Sequence, residues 1–453
     1  MNEKVSLLAL IICYYLPARL IFDYVHKSAP IVIDELFHLP IGLKYCATEF
    51  SEWDNKITTL PGLYLFSSLL IAPFGYCSVY SLRYTVFFTS LINLVIVYYL
   101  RKQWVPGENK FNLLLNTFNI VTIPPVLFFS MVYYTDILSM MLVNAMILFG
   151  LKGRSFLASI FGFLAMVTRQ NNAVYILFIA GYRVFGHLYN IITDAHNTDG
   201  NIKRWDLRYL QIKLRSFLKS NPLQRHYSGL LIEGLCYFVA LLSMALFVYL
   251  NGGIVVGDKT AHTATIHLPQ LFYFSLFAMF FGFPHACCFV LPFFKFVYNR
   301  FLLTMTLLTI IALIVVFNTI IHPYLLADNR HYMFYFWKYF LGNETQRFVM
   351  CPMYLCAMYC IIRVCCPYRH SDPRLLVVYC LMLAGILCTQ SLIDVRYFLT
   401  PYVIWRSSVS VTARTDLVIE LLFQSAVSAF TLYTFGHKEI YWRDFDEVQR
   451  LIW

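Results

Sequence analysis

Ile33-Asp34-Glu35-Leu36-Phe37-His38, followed closely by Trp53-Asp54-Asn55-Lys56-Ile57-Thr58-Thr59-Leu60-Pro61-Gly62-Leu63-Tyr64, interrupts an otherwise apolar chain just after its first hydrophobic segment. Paired acids, a histidine, a tryptophan and two threonines at the edge of a bilayer suit a polar substrate held at the lipid surface. That reading depends on the rest of the chain being membrane, and the composition says that it is.

Of 453 residues, 59% are hydrophobic and 13% charged, against roughly 25% charged in soluble domains. The mean hydropathy is +0.63. Many apolar runs approach or exceed the ~18 residues that cross a bilayer as helix. The ~10-residue alternation of a transmembrane β-barrel is missing. The sequence therefore predicts an all-α polytopic membrane protein. Its net charge of +11 fits basic residues collected in cytosolic loops, so no nucleic-acid partner is expected. Most of the 13 cysteines lie inside apolar runs (Cys13, Cys236, Cys287, Cys288, Cys356, Cys380, Cys388) without a C-x-x-C. Nearly all read as inert, buried small hydrophobes.

Taken in order, the chain predicts about 12 transmembrane helices, with both ends in the cytosol. The first, about 5–24, has no small-residue cleavage site after it and reads as a retained anchor. Residues 25–79 form a luminal loop, in which Leu60–Ala72 is too short to span and suits an interfacial helix. Helices follow at about 80–100 and 111–130, and alternate to a twelfth at about 415–435 that returns the chain to a charged cytosolic tail. Residues 189–228 read as a hydrophilic cytosolic connector. One membrane domain covers 1–453.

Ionisable groups near a bilayer are costly, roughly 2.5–3.5 kcal/mol each at a helix centre, and so mark function. In this topology Asp34, Glu35, His38, Trp53, Asp54, Asp136, Asp328 and the cations Arg169, Arg330, His331, Lys338 and Arg396 gather on the luminal side. Asp34 and Glu35 either supply a general base or cap an interfacial helix, where acids favour the first turn. The arginines offer a planar donor fork suited to phosphate, or pair with acids such as Asp328 and Asp394. Trp53 and Tyr133-Tyr134 can stack on sugar or serve as interface aromatics. Gly252-Gly253 lacks a phosphate-loop context and suits a tight turn.

These blocks resemble a known family. The first loop is similar to the D-E-I/L-F-H … W-D-P-x-I-T-T-x-P-G-L-Y pattern of the endoplasmic-reticulum α-1,2-glucosyltransferases that add the last glucose to the dolichol-linked oligosaccharide, with Asn55 in place of the proline. Asn251–Asp258, Pro269–Phe274, Leu325–Tyr332 with Phe334-Tyr335-x-Trp337-Lys338, and Gln449-Arg450-x-x-Trp453 match in family order. Arg396-Tyr397-Phe398 follows Asp394-Val395 where the family more often has Glu-x-Arg-Tyr.

The resemblance implies a GT-C-like multispanning enzyme of the endoplasmic reticulum membrane with a luminal site. Its donor would be dolichyl-phosphate glucose and its acceptor a diglucosylated dolichol-diphosphate oligosaccharide, with inverting transfer. On that basis Asp34 and Glu35 are the catalytic candidates, Asp34 preferred as base by analogy. Arg330, His331, Lys338, Arg396 and Arg169 are candidates for the donor phosphate. His38, Trp53, Asp54, Asp136 and Asp328 are candidates for the acceptor sugars. Asp34 and His38, four apart, lack a third ligand, and no metal or cofactor is expected. Two rivals remain. One is another polyprenyl-phosphate sugar transferase, against which the loop motifs speak. The other is a transporter or channel-modulating membrane protein, which would place polar residues at the midplane rather than at one face.

Overall fold

The computed structural model describes residues 2–194, 223–259, 265–365, 373–411, 413–442 and 448–453. The expected 189–228 connector lies outside these except at its edges, where the Ala173–Asp194 and Leu223–Asn251 helices run into it. The described chain is a bundle of helices with one two-stranded ladder, Glu439–Ile440 against Gln449–Arg450.

Among the described residues six helices are long and apolar enough to cross a membrane: Glu3–Ser28, Val79–Trp104, Leu231–Asn251, Phe301–Asn318, Glu344–Val364 and Arg414–His437. A seventh is counted if Pro269–Phe281 and Phe283–Asn299, bent by 95°, are one span. At ~1.5 Å per residue, ~20 residues cover the hydrocarbon core. The shorter apolar helices Thr135–Leu151 and Ser155–Thr168 cannot do so alone without thinning or tilt. Thr135–Leu151 is apolar all round and almost wholly buried, which puts it at the bundle centre. Phe301–Asn318, equally apolar, leaves most of its surface exposed, as a lipid-facing helix does. Gly62–Ile71 is a short helix with Leu65 and Leu69 exposed.

The position of the C-terminal segment corrects the expected topology. Glu3 pairs with Lys102 at 2.9 Å, so the N-terminus and the end of Val79–Trp104 share one face. The Asp34 loop lies at the other end of the 26-residue first helix, about 39 Å away at that rise. After Asp394 a single return helix was expected. Instead Arg396–Ser408 runs down the bundle, and Arg101 Nη1 donates to the carbonyls of Arg406, Ser407 and Val409 at 3.3, 3.3 and 3.0 Å. Arg414–His437 then runs back, and Tyr24 Oη donates to the Leu432 carbonyl at 3.4 Å. Residues 439–442 and 448–453 therefore lie on the Asp34 face and not with the N-terminus. RYFLTPYVIWRSS, with an arginine near each end and Pro401 inside, lacks the apolar length that marks a span in sequence. Its second arginine, Arg406, is fully buried and neutralised by Glu420 at 2.6 Å.

Cysteine supplied a second correction. Cys46 and Cys77, both in the 25–79 loop, form a disulfide that ties the end of the Glu35–Cys46 helix to the start of Val79–Trp104.

Candidate active site

On the Asp34 face an open cavity of about 1150 Å³ lies between the first loop, the 251–259 loop, the 324–334 segment, the start of the Arg396 helix and the C-terminal segment. The first loop is held in place from below. Glu35 is fully buried and faces away from the cavity. Its two oxygens accept from Arg83 Nε (2.8 Å) and Nη2 (2.5 Å), the Val32 amide (2.9 Å) and the Tyr133 amide (2.6 Å). A carboxylate so fully used is an anchor, and the structure removes Glu35 from the catalytic candidates. Tyr134 Oη donates to the Val32 carbonyl at 3.1 Å and accepts from the Asp34 amide at 3.0 Å. Tyr133 and Tyr134 are both buried, so neither ring can stack on a sugar.

Asp34, the next residue back along the helix start, turns to the cavity. Its Oδ2 accepts from Arg396 Nη1 at 2.6 Å, while Arg396 Nε and Nη2 each lie 2.7 Å from Asp394 Oδ2. Asp34, Arg396 and Asp394 thus form a chain of charges along the wall. Burial would raise the Asp34 pKa, but the Arg396 guanidinium outweighs it and holds the carboxyl below its usual range. The same balance lowers Asp394, with Arg396 its strongest partner. His38 lies one turn on from Asp34, its Nδ1 2.5 Å from Tyr64 Oη. Burial lowers its pKa to about 4, so the imidazole is neutral and can accept or donate a hydrogen bond without carrying charge.

Of the expected cations, Arg169, Arg330, His331 and Arg396 line the cavity; Lys338 is exposed outside it, over Tyr339. Arg169 pairs with the buried Asp136, which sits behind it and not in the wall. Arg330 is committed: Nε and Nη2 donate to Asp328 at 2.9 and 2.8 Å and Nη1 to Gln449 Oε1 at 2.9 Å. Its guanidinium lies 4.1 Å from the Trp442 ring centre. That leaves no open fork for a phosphate. Asp328 lines the cavity as the partner of Arg330.

Trp53 and Asp54 do not line the cavity; they shape the loop that does. The Trp53 indole N–H donates to the Ile57 carbonyl at 3.2 Å and Asp54 Oδ1 accepts from the Lys56 amide at 2.9 Å. This turn clamps the second loop: the Asp258 amide donates to the Asn55 carbonyl at 2.8 Å and the Val256 amide to the Thr58 carbonyl at 3.2 Å. Between them Gly257 has φ +71°, and a Cβ there would lie 2.4 Å from the Asn55 carbonyl oxygen; only glycine fits. The clamp uses the Asn55 carbonyl, which a proline would also offer. Lys56 and Lys259, cavity-lining residues that sequence reasoning did not select, come to the wall through this clamp. Trp442 and Trp453 were missed as site residues because their segment was placed on the other face. Among the described residues no group of three His, Cys, Asp or Glu is arranged to hold a metal ion.

Comparison with known proteins identifies the family. The DIE2/ALG10 family model matches residues 28–407. A Drosophila melanogaster protein named Dol-P-Glc:Glc(2)Man(9)GlcNAc(2)-PP-Dol alpha-1,2-glucosyltransferase is 35% identical over 98% of this chain and 97% of its own. Human and Arabidopsis thaliana proteins of the same name are 31% and 28% identical, over 97% and 99% of this chain and 97% and 100% of theirs. The solved Archaeoglobus fulgidus oligosaccharyltransferase aligns with 83% of this chain and 48% of its own at 13% identity and a TM-score of 0.29. A likeness that weak says nothing about this fold.

Proposed function

The chain belongs to the DIE2/ALG10 family, and from that membership we propose that it transfers glucose from dolichyl-phosphate glucose to the diglucosylated dolichol-diphosphate oligosaccharide, forming the terminal α-1,2 linkage. The observation that carries the site assignment is Asp34: an ionised carboxylate in the wall of a large open cavity, fixed by Arg396 and flanked by neutral His38. In the transfer, the 2-hydroxyl oxygen of the acceptor glucose bonds to the donor C1 from the face opposite the phosphate. Its proton passes to the Asp34 carboxylate, and the C1–O bond breaks with its electrons leaving on dolichyl phosphate. Configuration inverts in one displacement, so one base suffices. Arg396, Arg169 and His331 lie along the wall where the negative charge develops. Arg396 also keeps Asp34 ionised, which favours availability of the base over its strength.

The orientation we propose puts this face in the lumen of the endoplasmic reticulum. The Cys46–Cys77 disulfide lies on it, and disulfides persist in oxidising compartments. Arg396–Ser408 adds one traverse to the path expected after Asp394. The lipid-linked oligosaccharide profile of cells lacking the protein tests the reaction: the species missing only the last glucose accumulates, and a normal profile overturns the reading. A glycosylation acceptor site added after Trp453 tests the orientation. It is modified, whereas one added ahead of Glu3 is not; the reverse pattern inverts the topology.

A further inference from the structure

The C-terminal segment is part of the cavity wall. It lies as a strap across the Arg330–Tyr332 segment: the Ile452 amide donates to the Arg330 carbonyl at 2.8 Å and the Tyr332 amide to the Ile452 carbonyl at 2.9 Å. His331 Nδ1 is 3.0 Å from the Trp453 carbonyl oxygen, and Leu451 and Ile452 are buried. Arg330 closes the attachment, gripping Gln449 with Nη1 and lying under Trp442. Trp442 is itself fixed, its Nε1 donating to Asn329 at 2.9 Å.

Trp453 differs from these anchors. It lines the cavity, its ring packed against Tyr332 (5.0 Å between centres) and Phe281 (5.9 Å). Unlike Trp442, its indole is, among the described residues, neither covered by a guanidinium nor fixed by a side-chain hydrogen bond. An indole offers a flat, electron-rich face, to which the C–H bonds of a pyranose ring are complementary. At about 1150 Å³ the cavity exceeds the ~300–1,000 Å³ usual for one small ligand, leaving room for sugar on both sides of the reacting bond.

We propose that Trp453 is a substrate-binding residue that packs against a glucose ring, with Arg330 and Gln449 as positioning residues that hold the strap. The inference rests on the glucosyltransferase reading. The ring is either the donor glucose or the terminal glucose of the acceptor, and the kinetics separate the two. The full chain is purified in detergent and assayed with dolichyl-phosphate glucose and the diglucosylated lipid-linked acceptor, each varied in turn. Trp453→Ala raises KM for one of them about tenfold, the equivalent of one well-made aromatic contact, while kcat stays within a few-fold. A shift in the acceptor KM assigns the ring to the acceptor; a shift in the donor KM assigns it to the donor. Trp453→Phe keeps an aromatic face and shifts the same KM less. Gln449→Leu, which removes the Arg330 Nη1–Gln449 contact, raises that KM too, and Gln449→Glu, which still accepts from Nη1, does not. Unchanged constants in Trp453→Ala overturn the inference; if that protein does not accumulate, an unchanged KM in Gln449→Leu does so. A wild type that forms no product overturns the glucosyltransferase reading as well, whereas product from the wild type beside unchanged variants overturns this inference alone.

Discussion

Arginine–carboxylate pairs occur at both ends of the helix bundle, and their surroundings differ. At one end Asp34, Arg396 and Asp394 keep side-chain exposures of 32%, 17% and 9% and border an open cavity. At the other, Arg406 and Glu420 are at 0%. They are enclosed by Asn116, whose Oδ1 accepts from Arg406 at 2.8 Å, by Asn119, which donates to Glu420 at 2.9 Å, and by His285, 3.0 Å from Glu420. Arg101 and Glu108 extend the same sealed group. The chemistry of the pairs is alike. What separates a site from a fastening is the space beside it: a charge can act on a substrate only where one can reach it. Glu35 shows the distinction within two residues, since it has the sealed character of the Glu420 group although it stands next to Asp34.

The largest effect that can break this comparison is expected at Asp34. Asp34→Asn keeps the shape and the contact to Arg396 while removing the base, and turnover should fall by about 10²–10⁴-fold with the protein level maintained. Retention of most turnover would pass the role of base to another wall residue. In the sealed group the loss should appear in the fold instead. Glu420→Ala leaves Arg406 buried without its counter-ion, which destabilises by about 3–5 kcal/mol; abundance should drop while the surviving enzyme turns over normally. Glu35→Ala should behave like Glu420→Ala and unlike Asp34→Asn, as measured by thermal unfolding beside turnover per folded molecule. A folded but inactive Glu35→Ala would erase the contrast.

A smaller, graded effect is expected at Arg396. Arg396→Lys keeps the charge but cannot reach Asp34 and Asp394 together, so activity should fall about tenfold, in line with losing a hydrogen bond to a charged group. The smallest effect concerns pH. His38, lowered to about 4 by burial, is neutral when folded, whereas the unfolded chain takes up a proton near pH 6.5. Its stability contribution is therefore complete above about pH 6.5 and declines as pH falls toward 4. Melting temperature should drop across that window in the wild type and drop less in His38→Gln. Because Asp34 is held ionised, turnover should stay level there. An acidic limb in turnover near pH 6.5 would mean that His38 changes charge during the reaction.

Much of this molecule was legible in the chain. Hydropathy alone determines that it is a polytopic helical protein, because ~18–20 apolar residues have no other stable place than a bilayer. The order of polar blocks and their family pattern selected Asp34, His38, Arg169, His331, Arg396 and Asp328, all of which meet at one cavity. Sequence could not say which acid of a neighbouring pair faces that cavity, because a helix start turns successive side chains about 100° apart and only the packed neighbours Arg83 and Tyr133 decide that Glu35 points inward. Nor could it read Arg396–Ser408 as a buried helix, since its charge is hidden by Glu420 on another helix. That one unseen traverse reversed the side of everything after it, so the tertiary structure alone brought Gln449, Trp442 and Trp453 to the site. Composition fixes what a segment must avoid, which is water or lipid. Which distant partner lets a charged segment enter the interior is a property of the packed bundle.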